Sequence, residues 1–103
     1  MNLNEAVKET KRIADKMPPP KWGIYQRFTD LIEEVGELAN AIQVKEGFKT
    51  HSRKKAELID SVCDVLYKMF FIAAIYSIDL EKEYPKVLGE IDKRRQKGEF
   101  NHV

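Results

Sequence analysis

The chain has 103 residues, 18 Lys and Arg against 17 Asp and Glu, a formal charge of +1, and hydrophobic and charged fractions of 43% and 34%. That length suits one domain with enough apolar material for a core, which excludes a disordered chain, and the near-neutral balance gives no general attraction to nucleic acid or an anionic membrane. The single Cys63 rules out an internal disulfide, no N-terminal signal sequence is present, and the apolar run from Met69 to Tyr76 is far shorter than the roughly 18 to 20 residues that cross a bilayer; a cytoplasmic location follows as the expectation.

In chain order, Leu3, Ala6, Val7, Ile13 and Ala14 predict a first helix over about 3–16, ended by Pro18-Pro19-Pro20 because proline lacks an amide hydrogen and disfavours helix before it. An aromatic connection, KWGIYQ, follows. Phe28, Leu31, Ile32, Val35, Leu38, Ala39 and Ile42 then predict a second helix over about 25–46 that buries one side. Gly47 suits the left-handed position just past its end, and Ser52 can cap the next helix.

The third helix is expected over about 53–76. It starts with a stripe at Leu58, Ile59, Val62, Cys63, Val65 and Leu66 and becomes apolar on all sides beyond Tyr67, as suits the centre of a bundle or a subunit interface. Cys63 has no catalytic partner in the pattern and reads as core, and His51 and His102 have no zinc-ligand spacing to it. Asp79 can cap a fourth helix reaching Gln96 or Lys97, with Gly98 past its end and Pro85 either kinking it or moving its start inward. With no strand pattern, the expected fold is an all-α four-helix bundle. A helix apolar all round in so short a chain also implies an oligomer, at least a dimer.

Asp30, Glu33, Glu34 and Glu37 share one face of the second helix, opposite the stripe centred on Val35; Glu57, Asp60 and Asp64 share a face of the third. The latter face turns apolar at Phe71, Ile72 and Ile75, so it does not face solvent along its length, and the two acidic sets are expected to face each other. Carboxylates drawn together and partly dehydrated protonate or repel unless a cation pairs with them. Hard oxygen ligands suit Mg²⁺, with Mn²⁺ as a substitute, although basic residues can also neutralise such a patch.

Glu33-Glu34-Val35-Gly36-Glu37-Leu38, followed by Glu57-Leu58-Ile59-Asp60, resembles the MazG-like branch of the all-α nucleoside triphosphate pyrophosphohydrolases, with ExxE on one helix and ExxD on the next. The resemblance covers about residues 22–97, leaving an N-terminal helix and proline-rich turn over 1–21, within one domain of 1–103. It implies a helical bundle, a homodimer or homotetramer, that hydrolyses an NTP or dNTP to monophosphate and pyrophosphate with Mg²⁺, in nucleotide-pool house-cleaning. Glu34 and Glu37 match the first metal-binding pair. For the second, Glu57 with Asp60 has the spacing, whereas Asp64-Val65-Leu66-Tyr67 resembles the run after the family's aspartate and puts Ser61 where a glutamate belongs; Glu57, Asp60 and Asp64 all remain candidate ligands, with Asp64 favoured.

For the chemistry, Glu33 or Glu34 is the candidate base for the attacking water. Lys54, Lys68, Lys93, Arg94 and Arg95 are candidate phosphate donors, Lys68 standing four residues after Asp64. Trp22 and Tyr25 can stack on a base and Asn40 can hydrogen-bond its edge. The alternative from another class is a helical dimerisation or regulatory module that has lost the chemistry, kept open by Ser61; a stable nucleic-acid complex is disfavoured by the charge.

Overall fold

The computed structural model describes residues 1–19, 23–50 and 57–101. These form α1 (Leu3–Ala14), α2 (Ile24–Lys45), α3 (Leu58–Ile75) and α4 (Leu80–Gln96), without a strand among the described residues. The all-α expectation holds, and no helix among the described residues is long and apolar enough to cross a membrane.

Local signals set the ends. Asn2 caps α1 by accepting from the Glu5 amide at 2.8 Å while Glu5 accepts from the Asn2 amide at 3.2 Å, a reciprocal box that satisfies two otherwise orphaned donors. α1 stops at Ala14, two residues earlier than the periodicity predicts, because the chain turns before the prolines are reached. Gly47 closes α2 with φ +84°, and the amides of Gly47 and Phe48 return to the carbonyls of Val44 and Gln43 at 3.1 and 2.8 Å. Gly98 does the same for α4 with φ +80°. Asp79 caps α4 by accepting from the Lys82 amide at 3.2 Å, and the helix starts at Leu80 and runs through Pro85, so its start is not displaced. α3 begins at Leu58 with Glu57 at its N-cap; the expected cap Ser52 lies outside the described residues.

α3 packs against both α1 and α2, and the core is Val7 and Ala14, Leu31 and Ala41, Phe71 and Ala73, two residues from each of these helices. α4 contributes no buried residue. It meets α1 at their N-terminal ends, where Asn4 donates to Asp79 at 2.8 Å and the Leu3 amide donates to Glu81 at 2.6 Å. The chain measures 49 × 39 × 26 Å with a radius of gyration of 17.0 Å, against the about 13 Å of a compact domain this long.

Two expectations about faces change. On α2 the inner side is formed by Leu31 and Ala41 with half-buried Arg27, Asp30, Glu34 and Leu38, while Phe28, Ile32, Val35 and Ile42 are 44–54% exposed. Of the expected stripe only the Leu31 and Leu38 edge turns to the packed side, because each helix step turns about 100° and the packed side is centred about one step round from the middle of the stripe. Cys63, expected in the core, is exposed.

Candidate functional site

Between α2 and α3 the inner faces bring charge together. Asp30 and Glu34 stand one turn apart on α2, Asp64 and Lys68 one turn apart on α3, and Lys68 Nζ pairs with Asp30 Oδ2 across the interface. Both partners of this pair are largely covered, at 16% and 17% exposure, which makes it a different object from the ion pairs of the helix exteriors.

Glu34 is the focus of the cluster. Desolvation raises its carboxyl above the usual glutamate range, the charges of Asp64, Glu37 and Asp30 raise it further, and Lys68 opposes them. Its Oε2 is covered from solvent and has no hydrogen-bond partner among the described residues. An oxygen in that position costs free energy unless something donates to it or carries positive charge beside it.

An open cavity of about 590 Å³ lies over this group. Its wall is drawn from α2 (Arg27, Asp30, Glu34), α3 (Asp64, Tyr67, Lys68) and the turn after α1 (Met17, Pro18). Arg27 lies 3.9 Å above the centre of the buried Phe71 ring, and Lys68 Nζ is 5.1 Å from the Tyr67 ring, so each cation rests against an aromatic face. Carboxylates, two cations and an apolar rim in one recess can receive a polyanion together with a positive counter-ion.

Of the residues expected from the sequence, Glu34, Asp64 and Lys68 meet at this cavity, and Glu37 is close enough for its charge to act on Glu34. Glu33 and Tyr25 line a neighbouring recess with Gln26, Thr29 and Asp30. Asp60 is exposed on the first turn of α3, Glu57 is exposed at its N-cap, and Asn40 is half-buried toward the far end of α2. On α4, Arg94 pairs with Glu99 at 3.3 Å, Arg95 with Asp92 at 2.8 Å and Lys93 with Glu90 at 4.0 Å. Trp22 and Lys54 lie outside the described residues. Among the described residues, no three His, Cys, Asp or Glu side chains are grouped so as to hold a metal ion as they stand.

Sequence reasoning did not single out Arg27, Tyr67, Met17 and Pro18, and it took Asp30 as one more carboxylate rather than as the partner of Lys68. The signal for the α2 residues was present: Arg27, Asp30, Leu31, Glu34 and Leu38 follow three-and-four spacing as regularly as the apolar stripe does.

Compared with known protein families, residues 27–98 match the MazG nucleotide pyrophosphohydrolase domain. The chain belongs to the MazG family. The matched segment starts at Arg27, the first α2 residue on the cavity wall, and ends at Gly98, the residue that closes α4. A curated relative, an uncharacterized protein called YvdC from Bacillus subtilis (strain 168), is 30% identical over 89 residues, which cover 79% of this chain and 84% of the relative. No solved structure matches. The MazG assignment places the chain, by class, among the all-α nucleotide pyrophosphohydrolases, and its α1 and the Met17–Pro18 turn lie before the matched domain.

Proposed function

We propose that this MazG-family chain hydrolyses nucleoside triphosphates, NTP or dNTP, to the monophosphate and pyrophosphate, with Mg²⁺ as cofactor and Mn²⁺ as a substitute, clearing the cytoplasmic nucleotide pool. The observation that carries the reading is the meeting of Glu34 and Asp64 across the α2–α3 interface, in an open cavity that also holds Arg27 and Lys68.

The donor set fits a hard divalent cation in its chemistry: carboxylate oxygens, one of them covered and unpartnered, with an excess of negative charge over the two cations. Glu34, Glu37 and Asp64 would hold it, with Asp60 and Glu57 at the open end of α3 as further candidates. Side-chain rotation must draw them closer, since they are not grouped for a metal as they stand. When bound, such an ion neutralises phosphate charge and increases the acidity of nearby water.

In the proposed reaction a water oxygen bonds to the α-phosphorus, the bond from that phosphorus to the bridging oxygen of the β-phosphate breaks, and pyrophosphate leaves. Glu33 or Glu34 accepts the proton of the attacking water. Glu34 has a raised carboxyl, which makes it a stronger base when ionised, and Glu33 is the more exposed to water. Lys68, with Lys54 and the α4 cations Lys93, Arg94 and Arg95, is the phosphate-binding set; Trp22, Tyr25 and Asn40 remain the base-binding proposal.

A homodimer or homotetramer completes the reading. Phe28, Ile32 and Val35 on α2 and Ile59, Val62, Leu66 and Met69 on α3 are 42–73% exposed, more apolar surface than a soluble helix pair leaves uncovered. Purified protein incubated with a panel of NTPs and dNTPs should release pyrophosphate only with Mg²⁺ or Mn²⁺, and silence across the panel would sink the enzyme reading.

A second reading, a module that kept the bundle and lost the chemistry, is favoured by one observation. Ser61, which takes the glutamate position when Asp64 is aligned with the family's aspartate, is 1% exposed with an Oγ that has no partner among the described residues, so no carboxylate stands there. The same panel separates the two, because a degraded module would also show no divalent-dependent rise in melting temperature.

A further inference from the structure

The Lys68–Asp30 pair stands apart from the other ion pairs. Lys11–Asp15, Arg12–Glu9, Lys86–Glu83 and Arg95–Asp92 each stay within one helix and its cap and leave their side chains 46–64% exposed; pairs of that kind contribute little. Lys68–Asp30 joins two helices at 16% and 17% exposure. It also sits where the carboxylates need positive charge, since Asp30 stands one turn before Glu34, Lys68 one turn after Asp64, and Lys68 is the cation that opposes the rise of the Glu34 carboxyl.

A lysine suits a temporary counter-ion better than an arginine would. Its ammonium is a compact point charge on a flexible four-carbon stem, so it can leave one oxygen for another without breaking a two-pronged bond. The Tyr67 ring 5.1 Å from Nζ gives the ammonium an aromatic surface along which to move, and the cavity is open beside it.

We propose that Lys68 is the resident counter-ion of the acidic cavity, parked on Asp30 while no divalent cation is bound and released to the phosphate chain of the substrate once one is. This rests on reading the cavity as the triphosphate site, and it deepens that reading by making cation binding the event that arms Lys68. Two cations at one carboxylate cluster repel, so Lys68 lowers the affinity for the divalent ion, and by linkage the divalent ion weakens the Lys68–Asp30 pair.

The test is calorimetric titration of metal-free protein with Mn²⁺ alone, no nucleotide being present. Lys68→Met should bind Mn²⁺ about five- to tenfold more tightly than wild type, the lower part of the usual coupling range, while Lys68→Arg, which keeps the charge and can hold Asp30 with two prongs, should bind no more tightly than wild type. Lys68→Gln serves as a second neutral variant if Lys68→Met does not give the wild-type far-UV circular dichroism. In Mn²⁺-saturated protein, the affinity for inorganic tripolyphosphate should fall at least fivefold in the neutral variant. Mn²⁺ affinity in the neutral variants equal to or weaker than wild type, or no Mn²⁺ binding in any of the proteins, overturns the proposal. Because the titration involves no turnover, its failure in a protein that releases pyrophosphate condemns the counter-ion role alone, whereas failure to release pyrophosphate condemns the hydrolase reading.

Discussion

Glu34→Gln keeps the size of the side chain and removes its charge, so it tests whether the cavity is a place where negative charge is costly until a cation arrives. In the fold the Glu34 carboxyl is raised above its usual value of 4.5, first by desolvation and then by Asp64, Glu37 and Asp30, with Lys68 opposing. An acid whose folded pKa exceeds its unfolded pKa binds more protons folded than unfolded, so its ionised form subtracts stability above the folded pKa. That cost is relieved as the pH falls through the folded value and is gone below the unfolded one. The covered Oε2 sets the scale: Gln keeps a polar atom there and removes only its charge, and because the rest of the side chain reaches water the gain lies at the low end of the about 1–3 kcal/mol that a covered, unpartnered polar group costs, about 1 kcal/mol. In a domain of this length that corresponds to a melting temperature about 4–8 °C higher for the variant. Thermal unfolding in EDTA at pH 7.5 should show this gain, and the difference should shrink toward pH 4.5, where wild type is itself becoming protonated. Adding Mg²⁺ should raise the melting temperature of wild type and not of Glu34→Gln. A variant less stable than wild type at pH 7.5 in EDTA would refute the reasoning, since Glu34 would then be stabilising as a charge.

Glu37→Ala should abolish pyrophosphate release with helicity and oligomer mass unchanged, because Glu37 is exposed; circular dichroism and light scattering supply the controls. Asp64→Asn should lower turnover by orders of magnitude and bring the Glu34 carboxyl closer to its usual range, visible as a smaller pH dependence of stability than in wild type. Phe71→Ala should cost about 3–5 kcal/mol in urea unfolding, since it empties a buried position and removes the surface on which Arg27 lies. Val35→Glu, at a position 44% exposed in the single chain, should leave the helices intact and reduce the particle to monomer mass in light scattering; an unchanged mass would show that this stripe is not the interface.

Helix identity was legible because capping and glycine signals are local. Asn2, Gly47, Asp79 and Gly98 act within a few residues of themselves, and a backbone needing φ above zero, as at Gly47, asks for glycine whatever the surroundings. The packed face was legible only in part, since periodicity reports a direction round the helix without saying which neighbour lies in it. Phe28, Ile32 and Val35 have the stronger apolar signal, yet Leu31, Leu38 and Ala41 face α3, with Asp30 and Glu34 between them. Glu34 and Asp64 were named because the acidic face of α3 turns apolar and is therefore expected to meet the acidic face of α2, and both line the cavity. Arg27 and the Met17–Pro18 turn were not, because their place on the cavity wall depends on how α2 and the end of α1 sit against α3.

The exposed stripe and the charged inner face of α2 answer one problem in two directions. A helix whose single packed side carried the whole apolar stripe would turn Asp30 and Glu34 to solvent, where water would screen them and neither a lysine nor a metal would be held tightly. Rotating the stripe outward by one residue, about 100°, places the carboxylates against α3, where desolvation raises Glu34 and gives any bound cation a larger effect. It also leaves Phe28, Ile32 and Val35 without cover. If a second copy supplies that cover, assembly stabilises the helix orientation that the site requires. Dissociating the particle should then weaken divalent binding even though no ligand residue is altered, and Val35→Glu should lower Mg²⁺-dependent stabilisation along with mass. Retention of full Mg²⁺ stabilisation in a clean Val35→Glu monomer would separate the two faces and confine the site to the single chain.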